Sequence, residues 1–362
     1  MGLGAHLAGD ADAAPCDGGR GSAMPQDMLR EMWLGLKRFW GLRWLVKGPT
    51  LVGVVALVAL AALAIYALQS AGITEAEKHY NRGIGLGEEG KWEEAIAEYG
   101  EAIEADPQFV LAYNNRGNAY SRLGELDRAL ADLNKAIELY PDLAGAYSNR
   151  GNVHADMGEL QQAIDDYSRA IELEEEAVFY ASRGNAYDDL GDVERALADY
   201  NKAIELDPSD AFVYRNRGVT HARLGIMDQA LADFDKAVEL QPDYASAWAS
   251  RGDIYAQEGE YDKAVSDYGK AIELDPSLIA AYVGRGGTYG YLAEYEKAIA
   301  DFGNAIALDP ADPAAYGLRG LAYSELGETD RAIADLEKAL SFYADPADKA
   351  QIQQLIDGIR GR

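Results

Sequence analysis

Glycine recurs through most of this chain at a nearly constant interval, and that period constrains the fold more than any other feature. Eight glycines that each directly follow an arginine are 34 residues apart, with a single interval of 33, and they are Gly83, Gly117, Gly151, Gly184, Gly218, Gly252, Gly286 and Gly320. Eight copies of one unit predict an array in which each unit packs against its neighbours.

Each unit has the pattern of two helices joined by a short turn. Apolar residues at helical spacing precede a glycine-containing turn such as 123–126, and a second helical run such as 127–139 follows it. When the period glycine is numbered position 8, position 20 is always alanine and position 24 is always large and apolar or tyrosine. Small residues at positions 8 and 20 allow two antiparallel helices to approach closely. We therefore predict an all-α fold.

This pattern resembles the tetratricopeptide repeat, which has aromatic residues at positions 4 and 24, Gly at 8, Tyr at 11, Ala at 20 and Pro at 32. The resemblance covers residues 76–344 and implies eight repeats in a right-handed α-solenoid, or superhelix, of antiparallel helix pairs. Position 32 is not proline at Glu175, where one residue is also deleted, so the junction of repeats three and four is expected to be irregular. Residues 345–362 are predicted to form a capping helix, with an apolar face of Ile352, Leu355, Ile356 and Ile359.

A segment before the repeats predicts a transmembrane helix. Residues 49–68 contain no charged side chain, and about twenty helical residues span roughly 30 Å of hydrocarbon. We place the helix at residues 49–70; a cleaved signal peptide is the alternative, but its apolar region is normally only about 7 to 15 residues long. Basic residues precede the segment and acidic residues follow it. This asymmetry predicts a cytoplasmic N-terminus and extracytoplasmic repeats in a single-pass protein of a bacterial cell membrane.

Composition assigns the remaining segments. Residues 26–48 are basic and rich in tryptophan, as in a juxtamembrane helix at the lipid interface. Residues 1–25 are expected to form a disordered leader, and translation from Met24 or Met28 is an alternative. The whole chain has 61 acidic and 33 basic residues. This excess disfavours nucleic acid as a partner and favours a basic or mixed-charge protein or peptide.

Two charged positions recur in every repeat. Position 7 is arginine and position 23 is aspartate or glutamate in all eight units. In an antiparallel helix pair these positions lie less than one turn apart, which predicts salt bridges within a unit or to an adjacent one. A ligand-binding role for the arginines is the alternative. The structural salt bridges are predicted for Arg116, Asp132, Arg150, Asp166, Arg217 and Asp233.

Asparagine recurs at positions 6 and 9. Asparagine is unfavourable inside helices, so its repetition indicates either recognition or solvated polar residues without a ligand. An amide both donates and accepts hydrogen bonds, which suits the backbone of an extended peptide. The row at position 6 is similar to the asparagine ladder of protein O-glycosyltransferases, although only repeats one, two, three and five share it. That resemblance implies peptide binding by Asn81, Asn115, Asn149 and Asn216. The tetratricopeptide resemblance places positions 6 and 9 on the concave groove, which adds Asn118, Asn152 and Asn185 to the predicted peptide-binding residues.

The sequence has none of the common patterns of a catalytic or metal site. It contains no P-loop, nucleophile elbow or HExxH motif, Cys16 is the only cysteine, and the four histidines lack metal-ligand spacing. We predict no enzymatic activity, cofactor or metal. The favoured function is a membrane-tethered scaffold that binds extended peptides in its concave groove. The alternatives are a structural or self-associating spacer array and a non-catalytic accessory subunit of an envelope glycosyltransferase or secretion complex.

The predicted orientation can be tested on intact cells. Protease added outside should degrade residues 76–344, because the repeats are predicted to lie beyond the cytoplasmic membrane. An immunoblot against the C-terminal repeats measures the loss, and a cytoplasmic protein in the same sample is the control. Repeats that survive until the cells are lysed would contradict the outside placement.

Overall fold

The computed structural model describes residues 74–361, and every regular element in this range is an α-helix. The predicted leader, juxtamembrane segment and transmembrane helix, residues 1–25, 26–48 and 49–70, lie outside the described residues. Within residues 74–361, no helix combines the length and apolarity needed to cross a membrane. The described residues fall into two compact units that divide after Asn149.

The first unit contains α1 (Glu75–Glu88), α2 (Trp92–Ala105), α3 (Val110–Arg122), α4 (Leu126–Leu139) and the start of α5 (Ala144–Asp156). The second unit contains the rest of α5, then α6 (Leu160–Leu173), α7 (Ala177–Asp189), α8 (Val193–Leu206), α9 (Ala211–Arg223), α10 (Met227–Leu240), α11 (Ala245–Gln257), α12 (Tyr261–Leu274), α13 (Ile279–Tyr291), α14 (Tyr295–Leu308), α15 (Pro313–Glu325), α16 (Thr329–Phe342) and α17 (Pro346–Arg360). Odd-numbered helices from α1 to α15 are the first, or A, helices of the repeats, and even-numbered helices are the second, or B, helices.

Close approach of the A and B helices forms the core of each repeat. The alanines at position 20 are fully buried, and so is the large side chain at position 24 in most repeats. In one pair, a Cβ atom on Gly218 would stand only 2.7 Å from the ring of Phe234. Because nonbonded carbon atoms cannot pack at that distance, glycine is required where the ring lies on the A helix.

The junction of repeats three and four is shorter than the others. Helix α6 ends at Leu173 and α7 begins at Ala177, so three glutamates connect them, whereas four residues connect α8 to α9. Glu174 ends α6 in an extended conformation, with φ −143° and ψ 135°, without the help of a proline. Helices α6 and α7 remain in contact. The irregularity is therefore confined to the connection.

Helix α17 covers the apolar side of the last repeat. Ile356 and Ile359 are buried against Leu336, and Ile352 packs beside them. The sequence places Leu355 on the same apolar face, but its side chain is 40% exposed. That part of the prediction is wrong, because α16 covers only the side of α17 that carries Ile356 and Ile359.

The turns between A and B helices require a left-handed residue. Seven described repeats have glycine there, with φ between 72° and 79°, and these residues are Gly90, Gly124, Gly158, Gly191, Gly225, Gly259 and Gly327. Repeat seven instead has Ala293, with φ 57°. Since a Cβ atom disfavours this conformation, Ala293 stores backbone strain that the equivalent glycines avoid.

Replacing this alanine should stabilise the protein. Ala293→Gly is expected to raise the free energy of unfolding by about 0.5 to 1 kcal/mol, because release of strain exceeds the entropy that glycine gains in the unfolded chain. Urea unfolding followed by circular dichroism measures the change. Gly259→Ala, the reciprocal control, should lower stability by a similar amount. An unchanged or lower stability of Ala293→Gly would show that the turn is not strained.

Candidate functional site

Arginine at position 7 and aspartate at position 23 form a two-pronged ion pair. Arg116 Nε lies 2.7 Å from Asp132 Oδ2, and its Nη2 lies 2.9 Å from Oδ1. The same pair of hydrogen bonds recurs in Arg150–Asp166, Arg183–Asp199, Arg217–Asp233, Arg251–Asp267, Arg285–Asp301 and Arg319–Asp335. The aspartates are buried, so each carboxylate needs a counter-charge and hydrogen bonds in place of water, and the arginine supplies both.

Several of these arginines also contact the preceding repeat. Arg183 Nη1 donates to Ser168 Oγ at 3.0 Å, and Arg217 Nη1 donates to Asn201 Oδ1 at 2.6 Å. In α17, Arg360 makes a comparable contact with Glu337, whose repeat position matches those of Ser168 and Asn201. A single guanidinium thus joins three helices, which accounts for arginine at position 7 without a ligand.

The position-6 amides of the first unit bond to the preceding repeat. Asn115 Nδ2 donates to the Tyr80 hydroxyl at 3.1 Å, and Asn149 Nδ2 donates to Asn114 Oδ1 at 3.0 Å. Asn114 in turn donates to Asn115 Oδ1 at 3.0 Å. Asn81, in the first helix, is exposed. We call Asn81, Asn115, Asn149 and Asn216 the asparagine ladder.

In the second unit, the position-6 amide of repeat five bonds to the position-9 amide of repeat four. Asn216 Nδ2 donates to Asn185 Oδ1 at 3.0 Å, and Arg215 Nη1 donates to Asn216 Oδ1 at 3.2 Å. The row ends further along the chain, where position 6 is Gly284 and Leu318. A Cβ atom on Gly284 would stand 2.5 Å from the Tyr268 ring, so that ring occupies the space an asparagine would need.

Polar residues at position 9 bond to the hydroxyl of a tyrosine at position 24. The tyrosine donates to the position-9 oxygen in Tyr167–Asn152 at 2.7 Å, Tyr200–Asn185 at 2.8 Å and Tyr268–Asp253 at 2.6 Å. Where position 24 is phenylalanine, position 9 is Val219 or Gly287. Comparing positions 9 and 24 across the repeats would have revealed this pairing, which our sequence analysis missed. Two repeats depart from it: Asn118 faces Leu133, which has no hydroxyl, and Tyr99 has the apolar Ile84 at position 9.

The carboxylates on the A helices of repeats four and six differ in whether a basic side chain pairs with them. Asp188 accepts from the Thr220 hydroxyl at 3.0 Å and pairs with Arg223. Burial and the charge of Asp188 raise the pKa of Asp189. Burial raises the pKa of Asp253 to about 6, although the Tyr268 hydrogen bond and the charge of Arg215 oppose this. The Asp253 residue is nevertheless exposed to solvent.

In each unit, the A helices therefore present amides or carboxylates at positions 5, 6, 9 or 12, held in place by bonds within a repeat or to a neighbouring one. We call this surface of a unit its A-helix face. It can donate and accept hydrogen bonds and can neutralise a cation. Within residues 74–361, no three His, Cys, Asp or Glu side chains are grouped so as to hold a metal ion.

Models of the tetratricopeptide repeat family match nearly the whole repeat region of this chain. A family model described as TPR repeat matches residues 87–124, 184–225, 252–292 and 291–327. Models described as tetratricopeptide repeat match residues 110–143, 144–176, 211–244, 234–266 and 313–346. Between residues 87 and 346, only 177–183 is left unmatched. No protein of curated function matches the chain.

Several solved structures have folds similar to that of this chain. The APC/C hetero-tetramer Cut9–Hcn1 has a TM-score of 0.61 and 16% identity over 74% of this chain and 52% of the other. A tetratricopeptide repeat protein from Parabacteroides merdae has a TM-score of 0.54 and 24% identity over 68% and 98%. Yeast Tom70 has a TM-score of 0.54 and 18% identity over 92% and 80%. This chain thus spans about half the length of the Cut9–Hcn1 chain it matches.

The buried ion pairs can be tested by removing one partner. Arg183→Met should lower the free energy of unfolding by about 2 to 3 kcal/mol, because Asp199 is left buried without its counter-charge. Urea unfolding measures the loss. Arg195→Met is the matched control, since Arg195 pairs with Asp192 on the exposed surface and its removal should cause no measurable change. Equal effects of the two substitutions would contradict the structural role of the position-7 arginines.

Proposed function

This chain belongs to the tetratricopeptide repeat family, and we propose that it is a membrane-tethered scaffold that holds extended segments of partner proteins on its A-helix face. The observation that carries the proposal is the asparagine ladder. Its amides occupy one repeat position, and Asn115, Asn149 and Asn216 are each oriented by a hydrogen bond to the preceding repeat. Groups fixed in this way bind a ligand without a further loss of side-chain entropy.

The ladder keeps hydrogen-bonding capacity for a partner. An amide has two N–H donors and a carbonyl oxygen with two lone pairs. Asn149 uses one N–H in its bond to Asn114, which leaves the other N–H and the carbonyl. Adjacent helices pack about 8 to 10 Å apart, and three residues of extended chain cover about 10 Å. Ladder amides of adjacent repeats within one unit, such as Asn115 and Asn149, therefore suit main-chain groups three residues apart in one segment.

We propose the tether at residues 49–70 and eight repeats over residues 76–344. The tether is supported by the absence of charge from residues 49–68, and the number of repeats by the glycine period. The basic residues before the tether support a cytoplasmic N-terminus and extracytoplasmic repeats. We further propose that the protein has no catalytic activity of its own and that its partner is a basic or mixed-charge protein rather than nucleic acid, given the net charge of −28.

A spacer array is the second candidate, and it also has an observation in its favour. The ladder and position-9 amides have partners within the chain, for example Asn216 with Asn185 and Tyr167 with Asn152. Such bonds stabilise the contact between repeats or within one, so the asparagines could serve the array alone. Self-association, or a place as accessory subunit in an envelope complex, would then use other surfaces.

Substitution of the ladder separates the two candidates. The full-length chain carrying Asn115→Ala, Asn149→Ala and Asn216→Ala together should lose most of the partners that the wild type retains after crosslinking in membranes and affinity purification. The loss is expected because each substitution removes a fixed donor and acceptor from the A-helix face. Quantitative mass spectrometry of the retained proteins is the measurement.

The control is Asn304→Ala, which removes an exposed asparagine from a B helix, α14. It should leave the retained partners unchanged. Circular dichroism of both variants checks that the repeats remain helical. Full retention by the folded triple variant would contradict binding on the ladder and favour the spacer array.

A further inference from the structure

The position-9 side chains of the second unit change chemistry along the chain. Repeats three and four carry the amides of Asn152 and Asn185, and repeat six carries the carboxylate of Asp253. A tyrosine hydroxyl donates to one oxygen of each. Because the tyrosine rings are buried in the repeat cores, the core determines which atom of each position-9 side chain is occupied and which atom can meet a partner.

Asn185 is oriented by a chain of hydrogen bonds. A guanidinium can only donate, so Arg215 must face the oxygen of Asn216, and the nitrogen of Asn216 must then face Asn185. The oxygen of Asn185 accepts both from Asn216 and from the Tyr200 hydroxyl. Both of its lone pairs are occupied, while its amide nitrogen has no partner among residues 74–361. The exposed Asn185 therefore offers N–H donors and no acceptor.

Asp253 offers the opposite chemistry. Its Oδ1 accepts from the Tyr268 hydroxyl at 2.6 Å, and no basic group within the described residues lies at ion-pair distance from it. Asp188, two repeats earlier, already pairs with Arg223. Arg215 on α9 acts on Asp253 only through its charge, and burial still raises the pKa of Asp253 to about 6. Asp253 is thus a partly desolvated carboxylate that a cation would stabilise.

We infer that the second unit binds an extended segment with a main-chain carbonyl on Asn185 and a lysine or arginine side chain on Asp253. This inference rests on the proposed function and adds the partner's chemistry and register to it. Asn185 and Asp253 lie two repeats apart, about 20 Å at the usual spacing of packed helices. An extended chain covers that distance in about six residues, which fixes the expected separation of the carbonyl and the basic side chain.

The observations favour a basic side chain over a metal ion or an acidic segment. No group of side chains in residues 74–361 is arranged to hold a metal, and a single carboxylate is a weak ligand set. An acidic side chain placed on Asp253 would meet a like charge in a partly desolvated site, which is unfavourable. The chain as a whole is acidic, so it also attracts a basic partner over longer distances.

Peptide pools test the inference on the full-length protein in detergent. The probe is a positional-scanning library of N-acetylated, C-amidated dodecapeptides, in which one position at a time is fixed as lysine, glutamate or norleucine. At one position, the lysine pool should bind about tenfold more tightly than the glutamate pool, a difference of about 1.4 kcal/mol. Asp253→Asn, which still accepts from Tyr268, should abolish that preference. Asp228→Asn, an exposed acid on α10, is the matched control and should retain it.

Two further measurements test the chemistry of the sites. Asn185→Asp replaces the outward donors with acceptors and should weaken binding of every pool about tenfold. The lysine preference should be present above pH 6 and shrink as the pH falls through 6, because protonation removes the negative charge of Asp253. The same preference should not change with pH in Asp253→Asn, since that variant has no carboxyl at this position.

The outcomes distinguish this inference from the proposed function. Pools that bind the wild type without a lysine preference, or a preference that Asp253→Asn retains, would overturn the inference and leave the scaffold function standing. Failure of every pool to bind a helical wild-type protein would overturn both. A preference for lysine that is lost only in Asp253→Asn supports the inference.

Discussion

Close contact between the two helices of each repeat is the constraint on which the rest of this structure depends. The ring at position 24 lies directly on the glycine at position 8, as in Tyr200 on Gly184. The hydroxyl of that same tyrosine emerges next to the glycine and reaches Asn185. One tyrosine side chain therefore packs the core with its ring and orients a residue of the A-helix face with its hydroxyl. A substitution of that tyrosine would also change the surface offered to a partner.

The recurring polar residues divide into two groups with different roles. Arginine at position 7 and aspartate at position 23 lie between helices, where loss of hydration must be offset by the two hydrogen bonds they share. They are engaged inside the array and cannot serve a ligand without disrupting it. Asn185 and Asp253 instead lie on the A-helix face with unused donors or acceptors. Repetition alone does not separate these groups, since both follow the same period.

A scaffold of this kind would select its partner mainly by backbone chemistry. Amides of fixed orientation recognise main-chain carbonyls that every sequence possesses. One carboxylate without a counter-charge adds a preference for a basic residue and thereby sets the register of the bound segment. Specificity then depends on few contacts, which suits a protein that holds several related segments.

The sequence by itself determined the helix pairs, the repeat register and the residues at each repeat position. These follow from local spacing, because apolar periodicity, the turn glycine and the small residues at positions 8 and 20 act within one unit. The period also places arginine and aspartate less than one turn apart. Only the tertiary structure decided that Asn216 donates to Asn185 and that Leu355 is exposed. These contacts join side chains on different helices or depend on which side of a helix is covered, so they are set by the lateral placement of helices, which no local pattern specifies.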